Sequence, residues 1–288
     1  MEEKQQIEKE IRDLYPNLSL KILAEGGMSY AFEVGGKIVR VPKNNYATDG
    51  YRIEEKILNY LQDRISIAIP NVKIIETPFF HTIHKKLEGK YWSGKEYINR
   101  TEREKDALAY DCAKFFAELH SSEIAKIDTQ LREIHPIKYN LETYLSTEFS
   151  FEEREKIVQC TDILFTIDDK VLIHNDFYYD NFFVDDNYRL KSVIDFGNGG
   201  FYNFNFDFRK IVSYEDGERD FWKRIVKHYE PMANRTIDIE IIKLIDIHNY
   251  ISFLVYFAKN PNFKDEKIGV RNNWNFHVEH IKDKLKKL

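Results

Sequence analysis

Between residues 18 and 87 the hydrophobic positions mainly repeat every two residues, which is the period of β-strands. The pattern predicts a hairpin of residues 30–34 and 37–41, because Gly35-Gly36 supplies the positive φ of a tight turn at little steric cost. From Gly50 the spacing changes to three and four residues, which indicates an amphipathic helix. A short helix is predicted within the first twenty residues, and further strands are predicted at 18–23, 65–75 and 79–87.

From about residue 101 the helical period dominates, beginning with an apolar stripe over 107–120. The exception is a strand at 171–174, followed by a hairpin of 182–184 with 190–194. Helical periodicity then returns over 221–228, 237–257 and 278–285. The sequence therefore predicts an α+β fold: a small antiparallel β N-terminal lobe with one helix, over residues 1–88, and a larger mainly helical C-terminal lobe, over residues 89–288.

The composition is that of a globular protein: 43% of the 288 residues are hydrophobic and 32% are charged. A net charge of −5 argues against nucleic acid as a partner and suits a cationic one. The two cysteines lack C-x-x-C spacing, and the uncharged run at 247–258 is too short to cross a bilayer. The first ten residues lack the apolar stretch of a signal peptide, so we expect a cytoplasmic protein with no membrane partner. The oligomeric state is left open.

Polar residues gather where the central strands end. The segment after 171–173 reads His174-x-Asp176-x-x-x-x-Asn181, and the second strand of the hairpin ends at Asp195-Phe196-Gly197. Phosphoryl transfer needs one carboxylate to accept a proton from the attacking hydroxyl, and hard oxygen ligands for Mg²⁺. Asp176 suits the first role, and Asn181 with Asp195 suits the second. The alternative is that these Asp and Asn residues lie in turns only because their side chains form local hydrogen bonds there. For His174 we expect loop bracing rather than contact with substrate.

These residues carry a resemblance to a known family. The segment His174-Asn175-Asp176-Phe177, followed by Ile194-Asp195-Phe196-Gly197, resembles the aminoglycoside phosphotransferase family, and most of all the aminoglycoside 2″-phosphotransferases. The resemblance implies a bilobal protein-kinase-like fold and transfer of the γ-phosphate of ATP or GTP to a hydroxyl group. It implies that Asp176 is the catalytic base and that Asn181 and Asp195 hold Mg²⁺. It also implies a buried structural role for Asp207.

By the same resemblance the N-terminal lobe binds the nucleotide. Gly27 and Ser29 lie in the loop between two strands, where small residues let backbone amides approach phosphates, although an ordinary glycine hairpin explains them nearly as well. Arg40 and Glu54 occupy the positions of the strand cation and helix carboxylate of a kinase. Kinases usually have lysine at the first position, so either Arg40 or the nearby Lys43 could contact the phosphates. The link at 85–89 would present backbone groups to the purine, and the choice between ATP and GTP is left open.

The acceptor is expected to bind the helical lobe after Asp207. Glu215, Asp216 and Trp274 are candidates because carboxylates and aromatic faces attract a polycation such as an aminoglycoside. Acidic residues at the exposed start of a helix are the alternative explanation. The chain departs from the family at 178–180, where Tyr-Tyr-Asp replaces compact residues.

Three other functions remain open. The first is a kinase for another small alcohol, such as choline or a sugar, which would use the same three polar residues with a different acceptor pocket. The second is a non-catalytic nucleotide-binding module of kinase shape, and a helical adaptor is a remote third.

Overall fold

The computed structural model describes residues 2–25, 28–122, 138–167, 169–213, 216–259 and 274–288. Five strands lie near the N-terminus: β1 (Leu20–Glu25), β2 (Ser29–Val34), β3 (Lys37–Pro42), β4 (Lys73–Ile75) and β5 (His81–Lys85). They form one antiparallel sheet of order β1-β2-β3-β5-β4. Two helices accompany the sheet: α1 (Glu2–Leu14) precedes it, and α2 (Asn45–Leu61) connects β3 to β4.

The two faces of the sheet differ in character. Tyr30, Phe32 and Val34 alternate along β2 and are buried with Ile11 of α1 in a small hydrophobic core. The opposite face includes Arg40, which pairs in register with Ala31 on one side and with Thr82 on the other. The predicted hairpin is confirmed, and its turn residues Gly35 and Gly36 have φ values of 54° and 78°.

Several predicted elements have different bounds in the structure, and two of these differences have a clear physical cause. α2 begins five residues before Gly50, because the side chain of Asn44 accepts a hydrogen bond from the Ala47 amide at 2.9 Å and caps the helix. The strand predicted at 65–75 is wrong for most of its length, since only Lys73–Ile75 forms one. Pro70 lacks an amide hydrogen and interrupts the ladder, and Ala68 makes only an isolated bridge to Ser192.

The rest of the described chain is mainly helical, as the sequence predicts. The described helices of this part are α3 (Gly94–Ile98), α4 (Glu102–His120), α5 (Lys138–Leu145), α6 (Phe151–Phe165), α7 (Lys210–Ser213), α8 (Asp216–Ala233), α9 (Ile239–Lys259) and α10 (Trp274–Leu285). α4 begins with a capping box of Thr101 and Glu104, and its predicted apolar stripe is buried. None of the helices in the described ranges combines the length and apolar character needed to span a bilayer.

Short strands at the centre of the helical part position the polar residues. β7 (Lys170–Ile173) pairs with β10 (Gly200–Asn203), which the sequence pattern did not reveal. The predicted hairpin of β8 (Phe182–Val184) and β9 (Leu190–Val193) is confirmed, and β6 (Lys90–Tyr91) pairs with its free edge. The segment 174–181 therefore connects β7 to β8, and the segment 194–199 connects β9 to β10, so both segments run between the two small sheets.

α2 joins the two parts of the molecule. Its residues Ile57, Leu58 and Leu61 are fully buried and belong to the large hydrophobic core of the helical part, rather than to the small core of the sheet. Phe196, in the one-turn 3₁₀-helix that follows Asp195, belongs to the same core. The division of the chain between residues 88 and 89 stays a prediction. α2 precedes this division in sequence but packs against residues that follow it.

Candidate active site

The loop after β7 carries His174, Asn175 and Asp176. The His174 ring is buried between two backbone groups: Nε2 donates to the Ile194 carbonyl at 2.9 Å, and Nδ1 accepts the Asp176 amide at 3.2 Å. Because a carbonyl only accepts and an amide only donates, these two bonds fix the neutral ring with its proton on Nε2. His174 therefore connects the loop after β7 to the end of β9.

Asp207 holds the same loop through its backbone amides. Its carboxylate accepts the His174 amide at 3.0 Å and the Asn175 amide at 2.6 Å, and His120 Nε2 donates to it at 3.0 Å. The other nitrogen of His120 lies 2.7 Å from the hydroxyl of Tyr229. Burial works to raise the pKa of Asp207, but the hydrogen bonds from His120 and the backbone outweigh it, so the pKa lies below its ordinary value.

Asp176 lies at the surface of this network, with 35% of its side chain exposed. Arg209 Nη2 is 3.9 Å from one carboxylate oxygen, and the Asn198 amide donates to the other at 3.4 Å. Burial raises the pKa of Asp176, and the charge of Arg209 offsets part of that rise. A carboxylate that is about one-third exposed and accepts few hydrogen bonds can accept another from a hydroxyl group.

Asn181 and Asp195 are brought beside Asp176 by the hairpin. The Asn181 amide nitrogen donates to the Asp176 carbonyl at 2.8 Å, which leaves the Asn181 side-chain oxygen as an available acceptor. The Asn181 carbonyl accepts the Ile194 amide at 2.9 Å, so the residue before Asp195 is fixed as well. Asp195 adopts the left-handed backbone conformation, with φ 66° and ψ 62°, and 42% of its side chain is exposed.

The cation predicted on the sheet reaches the same place. The Arg40 guanidinium is paired with the fully buried Glu54 of α2, and its second nitrogen lies 3.9 Å from Asp195. Burial works to lower the pKa of Arg40, but the charge and hydrogen bond of Glu54, with further contributions from Tyr51 and Asp195, together outweigh it and the pKa rises. Glu54 also accepts the Phe196 amide at 3.3 Å. Strand β3, helix α2 and the Asp195 turn are thus joined through one ion pair.

The remaining predicted residues lie at various distances from this centre. Ser29 begins β2 and hydrogen-bonds the Tyr51 side chain, whose ring lies 4.5 Å from the Arg40 guanidinium. Lys43 follows β3, 3.4 Å from Glu25 and above the Tyr30 ring. Trp274 begins α10 and packs against the large core. Gly27, Glu215 and the side chain of Asp216 lie outside the described residues.

Sequence reasoning missed three residues that the structure brings to the loop. His120 lies on α4, where its sequence position predicts only a buried helical residue. Its role in holding the loop becomes evident only from the tertiary contact with Asp207. Asn198 directly follows the Asp195-Phe196-Gly197 motif and Arg209 lies two residues after Asp207, but these positions alone do not predict that the two side chains lie near Asp176.

The fold and this polar centre define a class: a two-part kinase-like protein with a cluster of polar residues between a small sheet and a helical body. The model of the phosphotransferase enzyme family, APH, matches residues 20–236. The chain therefore belongs to this family and is a kinase-type phosphotransferase.

Known structures of similar fold cover nearly the whole chain. A GDP complex of the wild-type aminoglycoside phosphotransferase IIIa superposes with a TM-score of 0.76 at 17% identity, over 99% of each chain. The ADP-bound aminoglycoside phosphotransferase APH(2″)-Ib gives 0.72 at 23% identity, and the gentamicin complex of APH(2″)-IIa gives 0.73 at 22%. Each of the last two comparisons covers 98% of this chain and 96% of the other. At these identities the comparisons show the shared fold.

Proposed function

We propose that this protein transfers the γ-phosphate of ATP or GTP to a hydroxyl of an aminoglycoside, and that the 2″-hydroxyl is the acceptor. The observation that carries the proposal is the meeting of Asp176, Asn181 and Asp195 at the ends of β7 and β9, next to the Arg40–Glu54 ion pair. Membership of the phosphotransferase family supports the reaction class. The likeness to structures solved with ADP, GDP and gentamicin supports the donor and the acceptor.

Asp176 accepts the proton of the attacking hydroxyl. The carboxylate is exposed enough to reach an acceptor, while His174 and Asp207 hold the backbone on either side of Asn175. A fixed carboxylate lowers the barrier because the hydroxyl and its base meet already oriented. His174 acts by holding this loop, and it does not touch the substrate.

The donor set fits Mg²⁺. Asn181 offers an amide oxygen whose partner nitrogen is already bonded, and Asp195 offers a half-exposed carboxylate. Mg²⁺ prefers such hard oxygen ligands and retains several waters, so two protein ligands suffice when nucleotide phosphates supply others. When bound there, the ion neutralises charge on the transferring phosphoryl group.

Arg40 is the better candidate for the cation that meets the nucleotide phosphates. It lies beside Asp195, and Glu54 holds its guanidinium in place. Lys43 lies 3.4 Å from Glu25, and its amide donates to the Met28 carbonyl at 2.9 Å, so it is proposed to act at the start of β2, next to Ser29. The link at 85–89 contacts the purine in this proposal.

A cationic acceptor is attracted by Glu215 and Asp216 and packs on Trp274.

A second candidate acceptor, a small hydroxylated metabolite such as choline or a sugar, is favoured by one observation. Two cations lie near Asp176: Arg209 Nη2 is 3.9 Å from its carboxylate, and the charge of Lys210, which lies over the ring of Tyr178 at 5.1 Å, helps to lower its pKa. Positive charge at the reacting hydroxyl favours an acceptor with fewer charges there than a polycation has.

The test is phosphate transfer from ATP and from GTP, with Mg²⁺, to kanamycin, gentamicin and choline. We expect transfer to an aminoglycoside, and a fall in kcat of about 100- to 10,000-fold for Asp176→Asn, because a general base is lost. Asp180→Asn is the matched control, since Asp180 is an exposed aspartate of the same loop. Transfer to choline alone would replace the aminoglycoside proposal. Nucleotide binding without any turnover would indicate the non-catalytic module.

A further inference from the structure

The segment 206–209 holds the residue before Asp176 from two opposite directions. Asp207 accepts the Asn175 amide hydrogen at 2.6 Å, while Arg209 Nη2 donates to the Asn175 carbonyl at 2.5 Å. Arg209 Nη1 also donates to the Asn175 side-chain oxygen at 2.8 Å and to the Phe206 carbonyl at 3.1 Å. One short stretch of chain thus grips both backbone polar groups of Asn175.

The peptide group between Asn175 and Asp176 is fixed at both of its ends. Arg209 binds its carbonyl oxygen, and His174 Nδ1 accepts its N–H at 3.2 Å. Rotation of this peptide plane would change φ of Asp176 and therefore the direction in which its carboxylate points. Asn175 needs this support, because its φ of 61° lies in the left-handed region that costs energy for residues other than glycine.

Arg209 also brings charge to the base. Its side chain is 16% exposed, and its guanidinium lies 3.9 Å from the Asp176 carboxylate without a close hydrogen bond to it. The carboxylate is thereby left able to accept a proton from another partner. Asp207, with its bond to buried His120, serves the packing beneath the loop, whereas Arg209 stands beside the carboxylate itself.

We propose that Arg209 is a positioning residue for phosphoryl transfer, which orients the Asp176 carboxylate through the Asn175 carbonyl. This inference rests on the proposed function only in taking Asp176 as the base, and it does not depend on which acceptor is used. The planar, two-pronged guanidinium is needed because one group must bind the backbone and side-chain oxygens of Asn175 together, which a lysine ammonium does poorly.

The test compares Arg209→Gln, Arg209→Lys and Asn175→Gly with a matched control, Arg235→Gln. Arg235 pairs with Asp169 and stacks on Phe204, away from Asp176. We expect Arg209→Gln to lower kcat about 100-fold with both KM values changed less than about threefold, since misorienting a reacting group costs rate rather than binding. We expect the kcat of Arg209→Lys to lie between those of Arg209→Gln and the wild type. Arg235→Gln should change kcat less than about twofold.

Two further readouts separate orientation from general stability. The rate of Arg209→Ala should rise on addition of guanidinium ion. The double variant of Arg209→Gln with Asn175→Gly should be no slower than the slower single variant, because both substitutions disrupt the same Arg209–Asn175 interaction. Thermal midpoints and nucleotide Kd are measured alongside.

The proposal is overturned if Arg209→Gln keeps the wild-type kcat, or if it raises KM for the nucleotide while kcat is unchanged. It is also overturned if rate and stability fall together without guanidinium rescue. Absence of aminoglycoside transfer by the wild type contradicts the proposed acceptor instead, and the same series is then read on nucleotide hydrolysis, where water replaces the acceptor and Asp176 is still the base.

Discussion

Two polar residues of the site occupy a backbone region that most side chains avoid. Asn175 and Asp195 have φ of 61° and 66°, and each stands where a strand passes into a functional turn. Asparagine and aspartate tolerate this region better than other non-glycine residues, because their short polar side chains bond locally. The motif residues Asp176 and Asn181 could be selected from spacing in the sequence. These backbone conformations could not, because they depend on distant contacts: Asp207, 32 positions away, accepts the Asn175 amide, and Glu54, 142 positions away, accepts the amide of Phe196 next to Asp195.

At the same scale, the Arg40–Glu54 pair makes a sharp prediction. We expect Glu54→Gln to lower the free energy of unfolding by about 3 kcal/mol, because it leaves a buried guanidinium without its counter-charge. Nucleotide affinity should also fall, since Arg40 loses the group that orients it. Urea unfolding and equilibrium nucleotide titration measure the two effects.

The control for that variant is the next residue along α2. Glu55 accepts the Ile74 amide at 2.9 Å and is only partly buried, so Glu55→Gln should cost about 1 kcal/mol or less and leave nucleotide affinity intact. Equal losses in the two variants would contradict a special role for the ion pair.

At the scale of elements, hairpins and long helices were the predictable part. The β2–β3 and β8–β9 hairpins follow from alternating apolar positions on either side of a turn, and α4 follows from its stripe. β10 was missed, because Gly200–Asn203 is short and becomes a strand only by pairing with β7. The start of α2 was missed because a cap at Asn44 outweighed the apolar pattern that begins later.

His248 on α9 leads to a pH-dependent prediction. Burial lowers the pKa of His248 to about 4, from the ordinary value of 6.5. Between these two values the unfolded chain binds the proton and the folded chain does not, so stability falls as the pH drops below about 6.5. We expect His248→Gln to lose about 2 kcal/mol less than the wild type between about pH 7.5 and about pH 5. Urea unfolding at the two pH values measures this, and parallel losses would contradict it.

At the scale of the whole molecule, ligand binding should stabilise both parts together, because Arg40, Glu54 and Asp195 connect them. We expect the thermal midpoint to rise with nucleotide concentration, by an amount equivalent to about 2.7 kcal/mol at a hundredfold excess over Kd. Mg²⁺ should add a further increment, which Asp195→Asn removes.

Asp186→Asn is the matched control for the magnesium increment, since Asp186 lies on the exposed hairpin turn and pairs with Lys90. Loss of the increment in both variants, or in neither, would contradict a metal site at Asp195. Calorimetry with Mg²⁺ and with a chelator distinguishes these results.

The packing of α2 also limits how this chain can be divided or recombined. A fragment cut at the link would expose Ile57, Leu58 and Leu61, which the helical body normally covers, and the body would lose the surface that covers Phe196. Neither fragment would behave as an independent module. Exchange of nucleotide-binding halves between members of the family would therefore have to carry the facing surface of the helical body along with the sheet and α2.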